Sequence, residues 1–387
     1  MDRLVPLRPR RGWEWQRRLW WLLWASCPGL GWVRLRALEH QFGSLAAAWL
    51  APASAFAGPG GGEPAWLPDL QALRRRWGPQ PLAAWSAEVA AGLGVLLPGD
   101  AAFPPLVTAL ERPPLALYWR GRGSLWPQLA RRRAVAVVGT RRPSRHGLAM
   151  AESIGRALAE AGWPVVSGLA DGIDGACHRG CLARGGRPVA VLGTPLERSY
   201  PRHHQQLQQQ VAQAGLLITE QPPGASVRPG HFAARNRLVV TLAAAVVLVE
   251  CPERSGALQA ARLAWQQQLP LWVVPGDAAR FSCRGSNRLL AEGATVLLDP
   301  ADLVRQLGPG PLQARHALRL PPAAALLAAD EPAGDEAALL AALAGGASLE
   351  QLCLDLQSSA SALAPRLLAL ELAGRIRSEP GLQWRLL

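Results

Sequence analysis

Residues 134–144 read AVAVVGTRRPS, and the fold follows from how that stretch is punctuated. A short run of small and branched apolar residues reads as a buried strand, and Gly139 ends it in a turn. The pattern returns at 164–178 (PVVSGLADGIDGACH), 188–194 (PVAVLGT), 216–224 (LLITEQPPG) and 244–250 (AAVVLVE). Strands that alternate with helical stretches predict an α/β fold, an extended Rossmann-like parallel sheet with its ligand site at the carboxyl ends of the strands. The spacing puts strands at 134–138, 165–167, 189–192, 216–219, 244–250, 271–274 and 295–298, and helices at 149–161, 172–183, 205–214, 257–267 and 287–291.

The strand ends carry arginines and small residues rather than an enzyme's acid, base or nucleophile, which points to an anionic polymer. At the first turn Gly139, Thr140, Arg141 and Arg142 precede Ser144, so free amides, a hydroxyl and two guanidiniums converge where an anion would sit. The glycine spacing is not that of a dinucleotide fingerprint, and Ser167 and Gly168 stand where an acid would close the second strand. Those two small residues would let a phosphate or sugar approach closely. Further on, FAARNR supplies Phe232 for stacking and Arg235, Asn236 and Arg237 as donors in one helical turn, with Arg228 just upstream. An aromatic among closely spaced arginines suits single-stranded nucleic acid. The competing reading makes Phe232 a core residue and leaves one or two of the donors in solvent. Asp174 and His178 lie four apart on a helix; with no nucleophile nearby, a structural hydrogen bond is the expectation and no catalytic residue is assigned.

The charge agrees with a polyanion. The 387-residue chain is 49% apolar, enough for ordinary buried cores, and carries +13, all 41 cations being arginine. The absence of Lys goes with a chain rich in Ala, Gly, Pro, Arg and Trp, a coding bias. Residues 1–130 hold 14 Arg against 8 acids, 131–305 hold 21 against 12, and 306–387 hold 6 against 8. The basic surplus therefore belongs to the front and the middle, while the tail repels a polyanion.

Around the sheet, residues 1–70 read as a helical module of SAM or helix-hairpin-helix type. Trp20, Leu23, Leu35 and Leu38 are its core candidates, with a tight hairpin at Pro28, Gly29 and Gly31. A Pro- and Gly-rich stretch at 51–81 reads as loose. A linker at 71–94 leads into the central domain at 95–307, which opens on two strands either side of a Pro-punctuated loop. A Pro- and Ala-rich linker at 308–334 precedes a winged helix at 335–387, with Ser348 and Ser359 or Ser361 as caps. Contact with duplex DNA and contact with protein both stay open for that tail.

The six cysteines form no paired framework and fit a reducing cytoplasm. Cys177, His178 and Cys181 are the nearest approach to a metal cluster, but no second ligand pair follows, so no metal and no cofactor are expected. Arg17, Arg18 and the apolar run at 19–25 hint at an export signal, yet the run is short, Trp-rich and continues into a helical hairpin. No stretch has the ~20 apolar residues of a membrane span.

GTRRPS, VVSGLADGIDGACHRG, VAVLGT, YPRHH, ITEQPPG, FAARNR, ERSGALQAARLA, VPGD and SNRLLAEGA, in this order, resemble the DNA-processing protein A family, DprA, also called Smf. The resemblance runs along nearly the whole chain. It implies a cytoplasmic bacterial protein that binds single-stranded DNA as a homodimer, protects incoming strands and helps load a RecA-type recombinase, notably in natural transformation. It also implies DNA contacts at Arg141, Ser167, Gly168, Phe232, Arg235, Asn236 and Arg237. Ala257 and Ala260 replace the family's usual hydroxyl residues, and Ser286 stands where Cys is common. Two rivals remain: a nucleoside monophosphate phosphoribohydrolase, whose glycine-rich motif is replaced here by PERSGALQAARLA, and a regulator reading duplex DNA through its winged helix.

Overall fold

Tryptophan dominates the front of the chain, and a buried indole needs an acceptor for its N–H. The computed structural model describes residues 13–57, 62–83, 94–313, 334–372, 375–379 and 383–386. Its first helices are α1 (Trp15–Ala25), α2 (Trp32–Phe42), α3 (Leu45–Leu50) and α4 (Leu67–Trp77). Trp21 and Trp24 are fully buried, and their indoles donate to Leu115 O at 2.8 Å and Leu45 O at 3.0 Å. Of the expected core residues Leu23, Leu35 and Leu38 are buried, whereas Trp20 is only partly so. The stretch read as loose contains α4, because Leu67 and Leu70 bury against the other helices and Arg74 donates to Ala48 O and Ala51 O. These helices share one core with Tyr118, Ala190, Leu192, Leu196 and Leu217 of the central domain.

The central elements run β1 (Gly94–Leu96), α5 (Pro105–Thr108), β2 (Leu117–Gly121), α6 (Trp126–Ala130), β3 (Val135–Val138), α7 (Arg145–Glu160), β4 (Val165–Ser167), α8 (Ile173–Ala183), β5 (Pro188–Leu192), α9 (Gln205–Ala214), β6 (Leu216–Thr219), α10 (Pro229–Thr241), β7 (Ala245–Leu248), α11 (Gly256–Gln266), β8 (Leu271–Val273), α12 (Arg284–Ala291), β9 (Thr295–Val296) and α13 (Pro300–Leu307). The strands form one nine-stranded sheet in the order β1-β2-β6-β5-β4-β3-β7-β8-β9. Side chains alternate between its faces. Val135, Val137, Val247 and Trp272 enter one core, and Ala136, Val138, Val246, Leu248 and Val273 enter the other.

Every neighbouring pair from β6 to β9 is parallel, but β1–β2 and β2–β6 are antiparallel. The sheet is thus mostly rather than wholly parallel: the connection from β1 to β2 holds only the single turn of α5, and the chain returns alongside itself. From β3 the chain steps outward through β4 and β5 to β6, then α10 carries it back to β7 on the other side of β3. The crevice between the ends of β3 and β7 is the topological switch point, where open α/β sheets hold their ligands.

A second compact unit covers residues 315–387, and most of the linker read at 308–334 lies outside the described residues. The unit contains α14 (Gly334–Ala342), β10 (Ala347–Ser348), α15 (Leu349–Asp355), α16 (Ala360–Leu372), β11 (Ile376–Glu379) and β12 (Gln383–Leu386). Ser348 caps α15 in a reciprocal box with Gln351. Leu339, Leu343, Leu352, Leu363, Leu367 and Ile376 fill its core, and β10, β12 and β11 form the small sheet of a winged helix. No helix among the described residues is long and apolar enough to cross a membrane.

Candidate nucleic-acid interface

The switch-point crevice already holds an anion, and it is the chain's own. Glu250 leaves the end of β7 buried, and its carboxylate accepts from Ser144 N at 3.0 and 3.2 Å, Ser144 Oγ at 2.7 Å and Ser282 Oγ. A carboxylate here neutralises the positive end of α7, the task a bound phosphate performs in nucleotide-binding relatives of this sheet. Ser144 Oγ also accepts from Gly147 N at 3.0 Å, and Thr140 N donates to Glu250 O at 2.7 Å. The expectation of free amides and a free hydroxyl in this turn is therefore corrected, because Glu250 uses them. Gly139 is wedged against Ile173 and Glu250 O, and Thr140 Oγ1 accepts from Arg142 N. Arg141 and Arg142 remain exposed.

The second turn also differs from its reading. Ser167 is buried and donates to Val137 O at 2.6 Å. The space above Gly168 belongs to Arg235, on whose guanidinium a Cβ at position 168 would fall. Arg235 is 4% exposed, its Nη1 donates to Val191 O at 2.6 Å, and its Nε has no partner. Burial pushes the guanidinium below its ordinary pKa, the neighbouring Asp174 carboxylate pulls it back up, and Arg141 pushes it down. Burial raises Asp174, against the charge of Arg235 and hydrogen bonds from Ala170 N and Gly168 N. His178 Nε2 bonds Val189 O, and burial pushes its imidazole down to about 3. Asp174 and His178 thus bond different partners and form no acid–base pair. Cys177 and Cys181 share that buried helix, and burial pushes their thiols up, Cys181 to about 12.

The FAARNR run lies in α10, and helical geometry divides it. A helix turns by about 100° per residue, so Phe232 and Arg235 lie near one face while Arg237 lies well round from both. Arg237 grips Glu220 through two bonds of 3.0 and 2.7 Å and donates twice to Arg112 O. Asn236 donates to Gly256 O at 3.1 Å. Arg228 precedes the helix and is exposed. Of the expected binding residues, Arg141, Arg142 and Arg228 are exposed, Gly139, Thr140, Phe232, Asn236 and Arg237 are half-buried, and Ser167, Gly168 and Arg235 are buried.

These side chains meet one that the sequence reading left without a role. Tyr200, 47% exposed, lies with its ring 4.7 Å from that of Phe232, and the Arg141 guanidinium sits 5.5 Å over Phe232 from another loop. Gly193, at the end of β5, lets the Phe232 ring lie against the backbone: a Cβ there would come within 2.8 Å of the ring. The signal was present in YPRHH, an aromatic in a strand-end loop followed by basic side chains. Exposed Arg198 and Arg202 flank it. Two aromatic rings and a cation thus lie within stacking range, the groups from which platforms for bases and phosphates are built.

A model of the family described as DNA recombination-mediator protein A matches residues 94–308, and one described as the DprA winged helix domain matches residues 321–381. The chain is 34% identical to Protein Smf of Synechocystis over 293 residues, covering 76% of this chain and 73% of that one. It is similar to the X-ray structure of DNA processing protein A from Streptococcus pneumoniae, with TM-score 0.55, 28% identity, and coverage of 62% of this chain and 82% of that one. It is also similar to a structure that gives insight into the single-stranded DNA binding mode of DNA processing protein A from Helicobacter pylori. There the TM-score is 0.50 at 30% identity, covering 56% of this chain and 95% of that one.

Proposed function

The chain belongs to the DprA/Smf family of DNA-processing proteins, and from that membership we propose that it binds single-stranded DNA across the carboxyl ends of its parallel strands and passes the strand to a RecA-type recombinase. Arg141, Arg142 and Arg228 grip phosphates, while Phe232 and Tyr200 take bases. The observation that carries this reading is the cluster in which Arg141 and Tyr200 both meet the Phe232 ring. Stacking is worth ~1–3 kcal/mol per base and tolerates any sequence, as a protector of arbitrary strands requires. Hand-over to a recombinase is the role that the family's description as a recombination mediator suggests. The protein acts as a homodimer without a chemical step; the Helicobacter pylori relative's single-stranded DNA binding favours a strand over a free nucleotide as the ligand.

Fluorescence anisotropy of labelled single-stranded and duplex oligonucleotides over a salt series tests the reading. The full chain should prefer single strands, and Phe232→Ala and Tyr200→Ala should each weaken binding about tenfold. A duplex preference, or unchanged affinity in both variants, would overturn it. Recombinase filament assembly on strands already coated with the protein tests the second half: assembly should start sooner than on bare strands.

A further inference from the structure

Two loops at the strand ends bring together Asp171, His203 and His204, and we infer that these three side chains form a binding site for a divalent transition metal, zinc foremost. The site is independent of the single-strand reading; only its effect on the binding face rests on it. Asp171 follows β4, and the two histidines stand in a single helical turn, Arg202–His204, after β5. Their nearest ligand atoms all lie within 4.8 Å of one another, with His203 Nε2 at 2.7 Å and His204 Nε2 at 3.8 Å from Asp171 Oδ1. Bonds of ~2.1 Å in a tetrahedron put ligand atoms about 3.4 Å apart, so the two separations straddle the required edge.

The tautomer of His204 is fixed correctly for such a site. Its Nδ1 lies 3.0 Å from Leu169 O, and a carbonyl can only accept, so Nδ1 carries a proton and Nε2 is the nitrogen whose lone pair the neutral ring offers toward Asp171. The ring is held rigidly: His204 is buried, and Gly175 has no Cβ to collide with it. Leu169 presents that carbonyl from the left-handed region, φ 56°, costing about 1–2 kcal/mol for a residue with a side chain. His203 and Asp171 are accessible at 68% and 41%, which leaves a way in for the ion and an open fourth position. Two imidazoles and one carboxylate suit zinc and its neighbours and disfavour magnesium or calcium, which take oxygen ligands. The buried thiols of Cys177 and Cys181 offer no rival site, and this is the one such His, Cys and acid group among the described residues.

The ion would clasp the loop carrying Gly168 to the loop carrying Tyr200, and its open position would accept water or a phosphate oxygen. The full chain, freed of metal by a chelator, is titrated with zinc against a chromophoric zinc indicator, beside Asp171→Ala and His203→Ala. Both side chains reach the surface, so the variants should melt as wild type does without metal. One zinc per wild-type chain is expected, with affinity at least tenfold weaker in each variant and a zinc-dependent rise in Tm that both lose. Substoichiometric zinc in wild type, or equal affinity in the variants, would overturn the inference. Single-strand binding by the metal-free chain, measured in parallel, judges the functional reading separately.

Discussion

Replacing Arg141 and Arg235 by alanine should give opposite phenotypes, although both sit in basic motifs. Arg235 is buried beside Asp174, with Nη1 on Val191 O and Gly168 beneath it. Its removal leaves a buried carboxylate with no counter-charge, a change that costs about 3–5 kcal/mol. At roughly 2–4 °C per kcal/mol for a domain of this size class, Tm should fall by roughly 6–20 °C. Adding Asp174→Asn removes the stranded charge and should recover much of that loss, the mark of direct coupling between the two groups. Arg141→Ala touches an exposed side chain and should leave Tm unchanged. It should remove one phosphate contact, worth ~0.7 in the slope of log affinity against log salt, or about 2.6-fold across a fourfold salt range. Differential scanning fluorimetry and anisotropy salt series on the three variants measure all of this. The reasoning fails if Arg235→Ala melts like wild type yet binds with a shallower slope, since Arg235 would then be reaching the strand, or if Arg141→Ala leaves the slope intact.

The other predictions concern acid and anions. His178 has its imidazole pushed from 6.5 down to about 3, so between those values the unfolded chain binds a proton that the folded chain refuses. Its contribution therefore drops as pH falls, by about 2 kcal/mol from pH 7 to pH 5. Urea midpoints at the two pH values should show that loss in wild type and a smaller one in His178→Gln; equal losses would refute it. Asp174, raised by burial, acts with the opposite sign as pH falls, which is why the comparison is made between variants. Glu250→Ala should destabilise the protein by about 1–3 kcal/mol for each buried donor it strands. Inorganic phosphate should then stabilise the variant but not wild type, by about 1.4 kcal/mol at ten times its Kd, as read by thermal shift at matched ionic strength. No phosphate effect on the variant would mean the crevice is not an anion seat.

The parallel strands and their helices were legible because β-strand runs and Gly-bearing turns are local signals. β4, β6 and α9 span residues 165–167, 216–219 and 205–214, as read from the sequence. The direction of β1 and β2 was not legible, since it depends on how the connection returns rather than on the strand residues. Arg141 and Phe232 were each legible as strand-end candidates from their local motifs, whereas their meeting at 5.5 Å depends on two loops that the fold brings together. Arg235 could not be read as buried: an arginine goes inside only when a partner such as Asp174 waits there, and that partner is supplied by a different strand end. The pairing of Arg237 with Glu220 was not legible, because sequence proximity hides its angular offset on α10. Tyr200 and Glu250 were missed because their roles exist only once β5 and β7 lie beside the strands whose loops they meet.

The front helices bury Leu192 and Leu196 in the same core as Trp21 and Trp24. Leu192 ends β5 and Leu196 lies in the loop that carries Tyr200. The module is therefore a foundation wall rather than a detachable annex: truncating it would strip support from the very loop that holds Tyr200 against Phe232. Substitutions in its tryptophan cluster can retune that loop from behind, so selection has a route to move the Tyr200 ring without changing a single residue that touches it.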